Sequence, residues 1–159
     1  MLAIDADGVL ANFDALAEQI FGMNTREYED KHGTSNFWNL LHAHGSFYRD
    51  LPLMPDAMEL WNAVKHLNPI ILTGCPEHPV PNWSQPQKMA WAAEHFPEAK
   101  MITTVSRLKR DHMEKPGDIL VDDYLKYRHL WEEAGGIFVH HTSAQDSIEQ
   151  LRALGVDVR

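Results

Sequence analysis

The sequence has little of three things: cysteine, positive charge and long hydrophobic stretches. Its single cysteine, Cys75, excludes an internal disulfide framework and is typical of a reducing compartment. Lys and Arg number 14 against 23 Asp and Glu, and the net charge of −9 disfavours a nucleic-acid polymer or an anionic membrane as the main partner. No stretch approaches the length of a transmembrane span, and the first residues lack the basic and apolar regions of a signal peptide. We therefore expect a soluble, cytoplasmic protein, whose oligomeric state the composition leaves open.

What the chain does have is a regular alternation of strand and helix patterns. Short apolar runs such as "PIILTG", "DILVDD" and "GIFVHH" indicate buried strands. Helical patterns separate them, from "MPDAMELWNAVKHL" to a closing "SAQDSIEQLRALG" with Ser143 as its cap. This repetition predicts an α/β fold, a Rossmann-like parallel sheet of about five strands with helices on both faces.

One segment near the start interrupts this alternation. "TREYEDKHG" is polar, and the following "NFWNLLHAHGSFYRDLP" is rich in aromatic residues and broken by Gly45 and Pro52. We therefore predict a small helical cap at residues 15–53, inserted after the first strand. Residues 1–14 and 54–159 would then form the α/β core.

Polar residues occur where the predicted strands end. Because the carboxyl ends of parallel strands lie at one edge of a sheet, and ligands bind there, we expect these side chains to converge. They are Asp5 and Asp7 after the first strand, Thr73 at the end of the second, where Gly74 follows it, Lys109 shortly after the third, and Asp122 and Asp123 at the end of the fourth.

The chemistry of this set predicts a metal site. Clustered carboxylates repel one another unless a cation joins them, and a set of oxygen ligands favours Mg²⁺, which keeps several waters and recruits a substrate phosphate. A lysine and a threonine hydroxyl beside the metal suit phosphate oxygens. The residues therefore predict a Mg²⁺ cofactor and a small phosphorylated substrate.

The same segments carry a resemblance to a known family. In order and spacing, "DADGVLANF", "ILTG", Lys109 and "ILVDD" resemble the four motifs of the haloacid dehalogenase-like phosphohydrolases. Within that group, "DADGVLANF", "GSFYRDLPLMPDAMELWNAV" and "SRLK" are most similar to the 5′(3′)-deoxyribonucleotidases. Two positions depart from the pattern: Asn12 replaces an acid, and Gly74 stands where those enzymes usually carry serine.

The resemblance implies a Mg²⁺-dependent phosphomonoesterase that acts through an aspartyl-phosphate. Asp5 is implied as the nucleophile, and Asp7 as the acid that protonates the leaving group and then activates water. Asp5, Asp122 and the backbone carbonyl of Asp7 would hold the metal. Asp123 would orient Lys109 or a metal-bound water.

The resemblance also implies residues that bind the substrate. Thr73, Gly74, Lys109 and Arg107 would contact the phosphate, with Lys115 and Lys88 as alternatives to Lys109. The cap would exclude water and contact the leaving group. Its aromatic neighbours are candidates for stacking on a base: Phe13 and Trp38 above all, with Phe37, Phe47 and Tyr48.

Several functions agree with these residues. The first is hydrolysis of a (deoxy)nucleoside monophosphate, and the alternatives are a sugar phosphate or the 3′-phosphate end of a nucleic acid. A receiver-like phospho-acceptor domain is a further alternative, although receivers reverse the order of nucleophile and acid pair and have no cap. Asp7 favours phosphate-ester hydrolysis over the halide chemistry of the founding family, which lacks this second acid.

Overall fold

A single five-stranded parallel sheet organises the fold. The computed structural model describes all 159 residues, Met1–Arg159. The strand order is β3-β2-β1-β4-β5. The strands are β1 (Leu2–Ile4), β2 (Ile70–Gly74), β3 (Met101–Thr104), β4 (Ile119–Asp122) and β5 (Ile137–His140). The predicted α/β, Rossmann-like class and the number of strands are confirmed.

Strand β1 lies at the centre of the sheet. Its Ile4 pairs with Ile71 of β2 on one side and with Val121 of β4 on the other. The ladder continues one residue further, because the amide of Asp5 donates to the carbonyl of Val121 at 2.9 Å. Asp5 is therefore held between the carboxyl ends of β2 and β4.

Both faces of the sheet are covered, as the apolar strands require. Alternate residues point to opposite sides. Ile4, Ile71 and Val121 belong to the larger core, which contains 26 buried residues. Ala3, Leu72, Leu120 and Phe138 pack with Trp131 in a smaller core on the other side.

Seven α-helices surround the sheet, and none combines the length and hydrophobicity that a membrane span requires. They are α1 (Phe13–Phe21), α2 (Thr25–His32), α3 (Thr34–Ala43), α4 (Ala57–Val64), α5 (Gln85–His95), α6 (Arg128–Glu133) and α7 (Ala144–Ala153). Residues Lys65–Leu67 and Ser106–His112 are 3₁₀ segments. The last helix is capped as expected, since Ser143 Oγ accepts from the amide of Asp146 at 3.1 Å.

The pattern "YLKYRHLWEEAGG" predicts a helix from Tyr124, but the helix begins later than that. It starts at Arg128, and the residues before it form a turn. The physical reason is Asp122, whose Oδ1 accepts from the amide of Tyr124 at 3.0 Å and closes that turn. The carboxylate binds the backbone locally, so the chain leaves the sheet edge before it becomes helical.

Helices α2 and α3 lie within the insertion predicted at residues 15–53, and α1 crosses its first boundary. The two ends of the insertion run side by side. The amide of Asn12 donates to the carbonyl of Pro52 at 2.7 Å, and that of Met54 donates to the carbonyl of Leu10 at 2.8 Å. These bonds keep the insertion next to the loop that follows β1.

Candidate active site

The loop after β1 brings the first two acids to the sheet edge. Gly8 has a φ of 81°, which a residue with a side chain rarely adopts. A Cβ placed on Gly8 would lie 2.1 Å from Oδ2 of Asp123. The glycine therefore permits both the turn after Asp7 and the close approach of an acid from the end of β4.

Lys109 joins the ends of β1 and β4. Its Nζ donates to Oδ1 of Asp5 at 2.9 Å and to Oδ2 of Asp122 at 2.8 Å, and all three side chains are buried. Burial alone would lower the pKa of Lys109, but the charges of Asp5 and Asp122 outweigh it and raise that pKa. The structure thus brings together three side chains that lie far apart in the sequence.

The two acids of the first loop are both perturbed. Burial, followed by the charge of Asp122, raises the pKa of Asp5 to about 6, although Lys109 opposes the shift. Burial also raises the pKa of Asp7 above its ordinary value, against the opposing charge of Lys88. Neighbouring carboxyls with raised pKa values are typical of catalytic sites.

The donor set fits a hard divalent cation. Asp5, Asp122 and Asp123 each offer a carboxylate oxygen, and these atoms lie within 4.8 Å of one another. The backbone carbonyl of Asp7 accepts no hydrogen bond from the chain, whereas that of Ala6 accepts three. Carboxylate and carbonyl oxygens are the ligands that Mg²⁺ prefers, and here three carboxylates and a free carbonyl lie beside a single lysine.

Lys88 is a second lysine in this region, which the sequence offers only as an alternative to Lys109. It lies in α5 and is 3% exposed. Its Nζ donates to Oδ2 of Asp7 at 2.8 Å, to Oγ1 of Thr73 at 2.8 Å and to the carbonyl of Gly74 at 3.0 Å. Each acid of the first loop therefore has its own lysine partner: Lys109 contacts Asp5, and Lys88 contacts Asp7.

Three residues that are candidates for contacting the phosphate do not line the cleft. Thr73 is 0% exposed, and its hydroxyl lies against Lys88. Arg107 forms an ion pair with Glu77, with donor–acceptor distances of 3.0 and 3.5 Å, and is not among the residues that line the cleft. Lys115 is exposed, and the structure does not bring it to the acids. The roles proposed for Thr73 and Arg107 remain predictions.

Gly74 is adapted to its neighbour Ser106. A Cβ on Gly74 would lie 2.0 Å from the Oγ of Ser106 and 3.0 Å from its Cβ. The absence of a side chain at position 74 thus makes room for a serine that enters from the segment after β3. Both residues line the cleft.

This packing makes a prediction about stability. Gly74→Ala is expected to lower the free energy of unfolding by about 1–3 kcal/mol, the usual cost of overpacking. In a Ser106→Ala background the 2.0 Å contact with Oγ disappears, so the same change should cost at least about 0.5 kcal/mol less. Urea unfolding of the four proteins measures both costs. Equal costs in the two backgrounds would contradict the assignment of this contact.

A cleft of about 630 Å³ lies above the acids, within the range of small-molecule sites. Four of the five aromatic candidates line it: Phe13, Phe37, Trp38 and Tyr48. Phe13 and Trp38 are only partly buried, and Phe37 and Tyr48 are buried. Phe47 is buried in the core and does not line the cleft. The ring centroids of Phe13 and Trp38 are 6.3 Å apart and the ring planes meet at 72°. The two rings are therefore close to edge-to-face and are not parallel. The cap wall also carries four polar residues: Asn24, Thr25, Arg26 and Glu29.

No family model and no curated protein matches the sequence. The fold, however, is similar to solved structures. The L-2-haloacid dehalogenase from Xanthobacter autotrophicus, with chloropropionic acid covalently bound, aligns with a TM-score of 0.57 and 14% identity over 99% of this chain and 84% of that one. A second structure of that enzyme gives 0.57 and 15% identity over 98% and 82%. A further dehalogenase gives 0.54 and 15% identity over 89% and 84%.

These similarities concern the whole architecture. They cover nearly all of this chain, including the inserted helices, at identities that carry no information about substrate. The chain therefore has the α/β fold of the L-2-haloacid dehalogenases.

Proposed function

We propose that this protein is a Mg²⁺-dependent phosphomonoesterase that transfers a phosphoryl group to Asp5 and then to water. The observation that carries the proposal is the convergence of Asp5, Asp122 and Asp123 within 4.8 Å, with Lys109 bonded to the first two and a second acid, Asp7, in the same cleft. The fold supports the choice of Asp5, because it lies at the carboxyl end of the central strand.

Each residue has a distinct task in the proposed reaction. A carboxylate oxygen of Asp5 attacks phosphorus while the bond to the leaving oxygen breaks, and Asp7 gives its proton to that oxygen. Asp7 then takes a proton from the water that attacks the aspartyl-phosphate, which releases phosphate and restores Asp5. Mg²⁺ held by Asp5, Asp122 and the carbonyl of Asp7 would neutralise charge on the phosphoryl oxygens.

Lys109 supplies the fixed positive charge of this site. Two of the three N–H groups of its ammonium are bonded to Asp5 and Asp122, which leaves one for a phosphoryl oxygen. Burial makes this charge more effective than it would be in water.

The cleft supports a substrate the size of a (deoxy)nucleoside monophosphate. Phe13 and Trp38 offer apolar ring surface for a base, and Asn24 and Arg26 offer polar contacts nearby. Because four polar residues line the same wall, a sugar phosphate is the second candidate. The net charge of −9 continues to disfavour a nucleic-acid polymer.

The neighbouring structures suggest a competing activity, hydrolysis of a 2-haloacid. They share the fold, and one holds chloropropionic acid covalently. The presence of Asp7 favours the phosphatase, since release of an alkoxide needs an acid whereas release of a halide does not.

A substrate screen tests the proposal. Phosphate release is measured with Mg²⁺ for nucleoside monophosphates, sugar phosphates and p-nitrophenyl phosphate, and chloride release is measured for 2-chloropropionate. We expect multiple turnovers on at least one phosphate ester and none on the haloacid. Chloride release without phosphate release would replace the phosphatase with a dehalogenase, and a single phosphorylation without turnover would indicate a receiver-like domain.

A further inference from the structure

We infer that Lys88 is a positioning residue that holds the carboxyl group of Asp7 for proton transfer to the leaving group. The inference rests on the proposed function and goes beyond it, because the motif residues offer Lys88 only as an alternative phosphate contact and not as a partner of Asp7. Three observations support it: the hydrogen bonds of the Lys88 ammonium, the burial of that ammonium, and the contacts of Lys88 and its neighbour Gln87 with the cap.

The ammonium of Lys88 has no donor left for a substrate. It carries three N–H groups, and three acceptors of the chain take them: Oδ2 of Asp7, Oγ1 of Thr73 and the carbonyl of Gly74. Lys109, by contrast, has two such acceptors. Because of this difference, we assign the contact with the phosphate to Lys109. Asp7 is then the one acid to which Lys88 donates a hydrogen bond.

The surroundings of Lys88 keep its ammonium in place. The Nζ lies 4.4 Å from the centre of the buried Tyr48 ring. One position earlier in α5, Gln87 accepts from the amide of Tyr48 at 2.9 Å and donates to the carbonyl of Gly45 at 3.3 Å. Helix α5, the end of β2 and the chain that returns from the cap therefore meet around the ammonium of Lys88.

Asp7 itself is held by fewer contacts than Lys88. Its side chain is 27% exposed and lies on the loop after β1, and Lys88 is the only side chain that donates to its carboxylate. The ammonium that lines the cleft is that of Lys109, which has a free N–H. Without Lys88, Asp7 is expected to turn towards Lys109, away from the leaving oxygen. A displacement of about 1 Å at a reacting group costs on the order of 10²-fold in rate.

The test compares two esters of nearly the same shape. p-Nitrophenyl phosphate releases a stable anion and needs little help from an acid, whereas phenyl phosphate releases a much more basic phenolate. The quantity measured is kcat/KM, which covers only the steps up to departure of the leaving group. Lys88→Met is expected to lose on the order of 10²-fold on phenyl phosphate and only a few-fold on p-nitrophenyl phosphate.

Further variants make the result specific. Lys115→Met removes an exposed lysine and should change neither ester. Asp7→Asn should show the same selective loss, and combining it with Lys88→Met should add little to the loss on phenyl phosphate. If Lys88→Met does not fold, as judged by thermal unfolding, the ratio between the two esters is measured in Lys88→Gln, which keeps an uncharged donor.

The outcomes separate this inference from the proposed function. A wild-type protein that hydrolyses neither ester, nor any other phosphate ester, refutes the phosphatase. A wild-type protein active on both, with equal losses on both esters in the Lys88 variants, overturns the positioning role alone. Equal losses would indicate that Lys88 binds the phosphate or only stabilises the fold.

Discussion

Asp5→Asn is expected to reduce phosphatase turnover by on the order of 10⁴-fold or more while the chain still folds. An amide has the size and shape of the carboxylate but is not a nucleophile, so no phosphoryl-enzyme can form. The packing should survive, since the asparagine oxygen can still accept from Lys109 and Asp122 keeps its own bond to that lysine. Removing the carboxylate of Asp5 also relieves its repulsion with Asp122.

This prediction is measured as kcat on the best ester from the substrate screen, beside a thermal unfolding curve. We expect the unfolding temperature of the variant to equal or exceed that of the wild type. Asp111→Asn removes an exposed acid of the same type and is the matched control, with unchanged kcat. Substantial turnover in a folded Asp5→Asn protein would remove Asp5 from the role of nucleophile.

Removal of divalent cations is expected to abolish activity, and Mg²⁺ is expected to restore it. Asp5, Asp122 and Asp123 bring three carboxyl groups together, and Lys109 provides the one positive charge bonded to the first two. A phosphate dianion entering this site without a metal would meet a net negative surface. Mg²⁺ makes the site attractive to phosphate and supplies charge where the transition state needs it.

Binding of the metal has a readout independent of catalysis. A ligand present at 100 times its Kd stabilises the folded chain by about 2.7 kcal/mol, so Mg²⁺ should raise the unfolding temperature of the chelated protein. The rise should be absent in Asp122→Asn and absent when Na⁺ replaces Mg²⁺ at equal ionic strength. Activity that survives thorough chelation, or an equal rise in Asp122→Asn, would contradict the assigned site.

The sequence predicted the fold and the convergence of the acids for one physical reason. Once the strands are parallel, their carboxyl ends must meet at one edge, so residues such as Asp5 and Asp122 come together whatever lies between them. The apolar runs were long enough to identify the strands. The same reasoning brought Lys109 to this edge, because it closely follows β3.

Lys88 shows what strand ends alone do not reveal. It lies in the middle of a helical pattern, so the rule about sheet edges says nothing about it. A signal was present nonetheless, since Ser84, Lys88, Trp91 and Ala92 occupy one helical face and all four are buried. A lysine on an otherwise buried face needs a charged partner, and Asp7 is that partner.

Other features depended on contacts that no local pattern encodes. The position of Thr73 beneath Lys88 follows from the packing of α5 on β2. The burial of Phe47 and Tyr48 follows from the way the cap returns to the core. Each results from side chains that meet across separate segments.

The central claim is that Asp5 carries the phosphoryl group during turnover. The most direct measurement is mass spectrometry of peptides from enzyme quenched with acid a few milliseconds after mixing with substrate and Mg²⁺. The account predicts a peptide that is heavier by one phosphoryl group, with the added mass located on Asp5, and no such peptide from Asp5→Asn. A phosphoryl group on any other residue, or rapid product release with no modified peptide at any time, would contradict it.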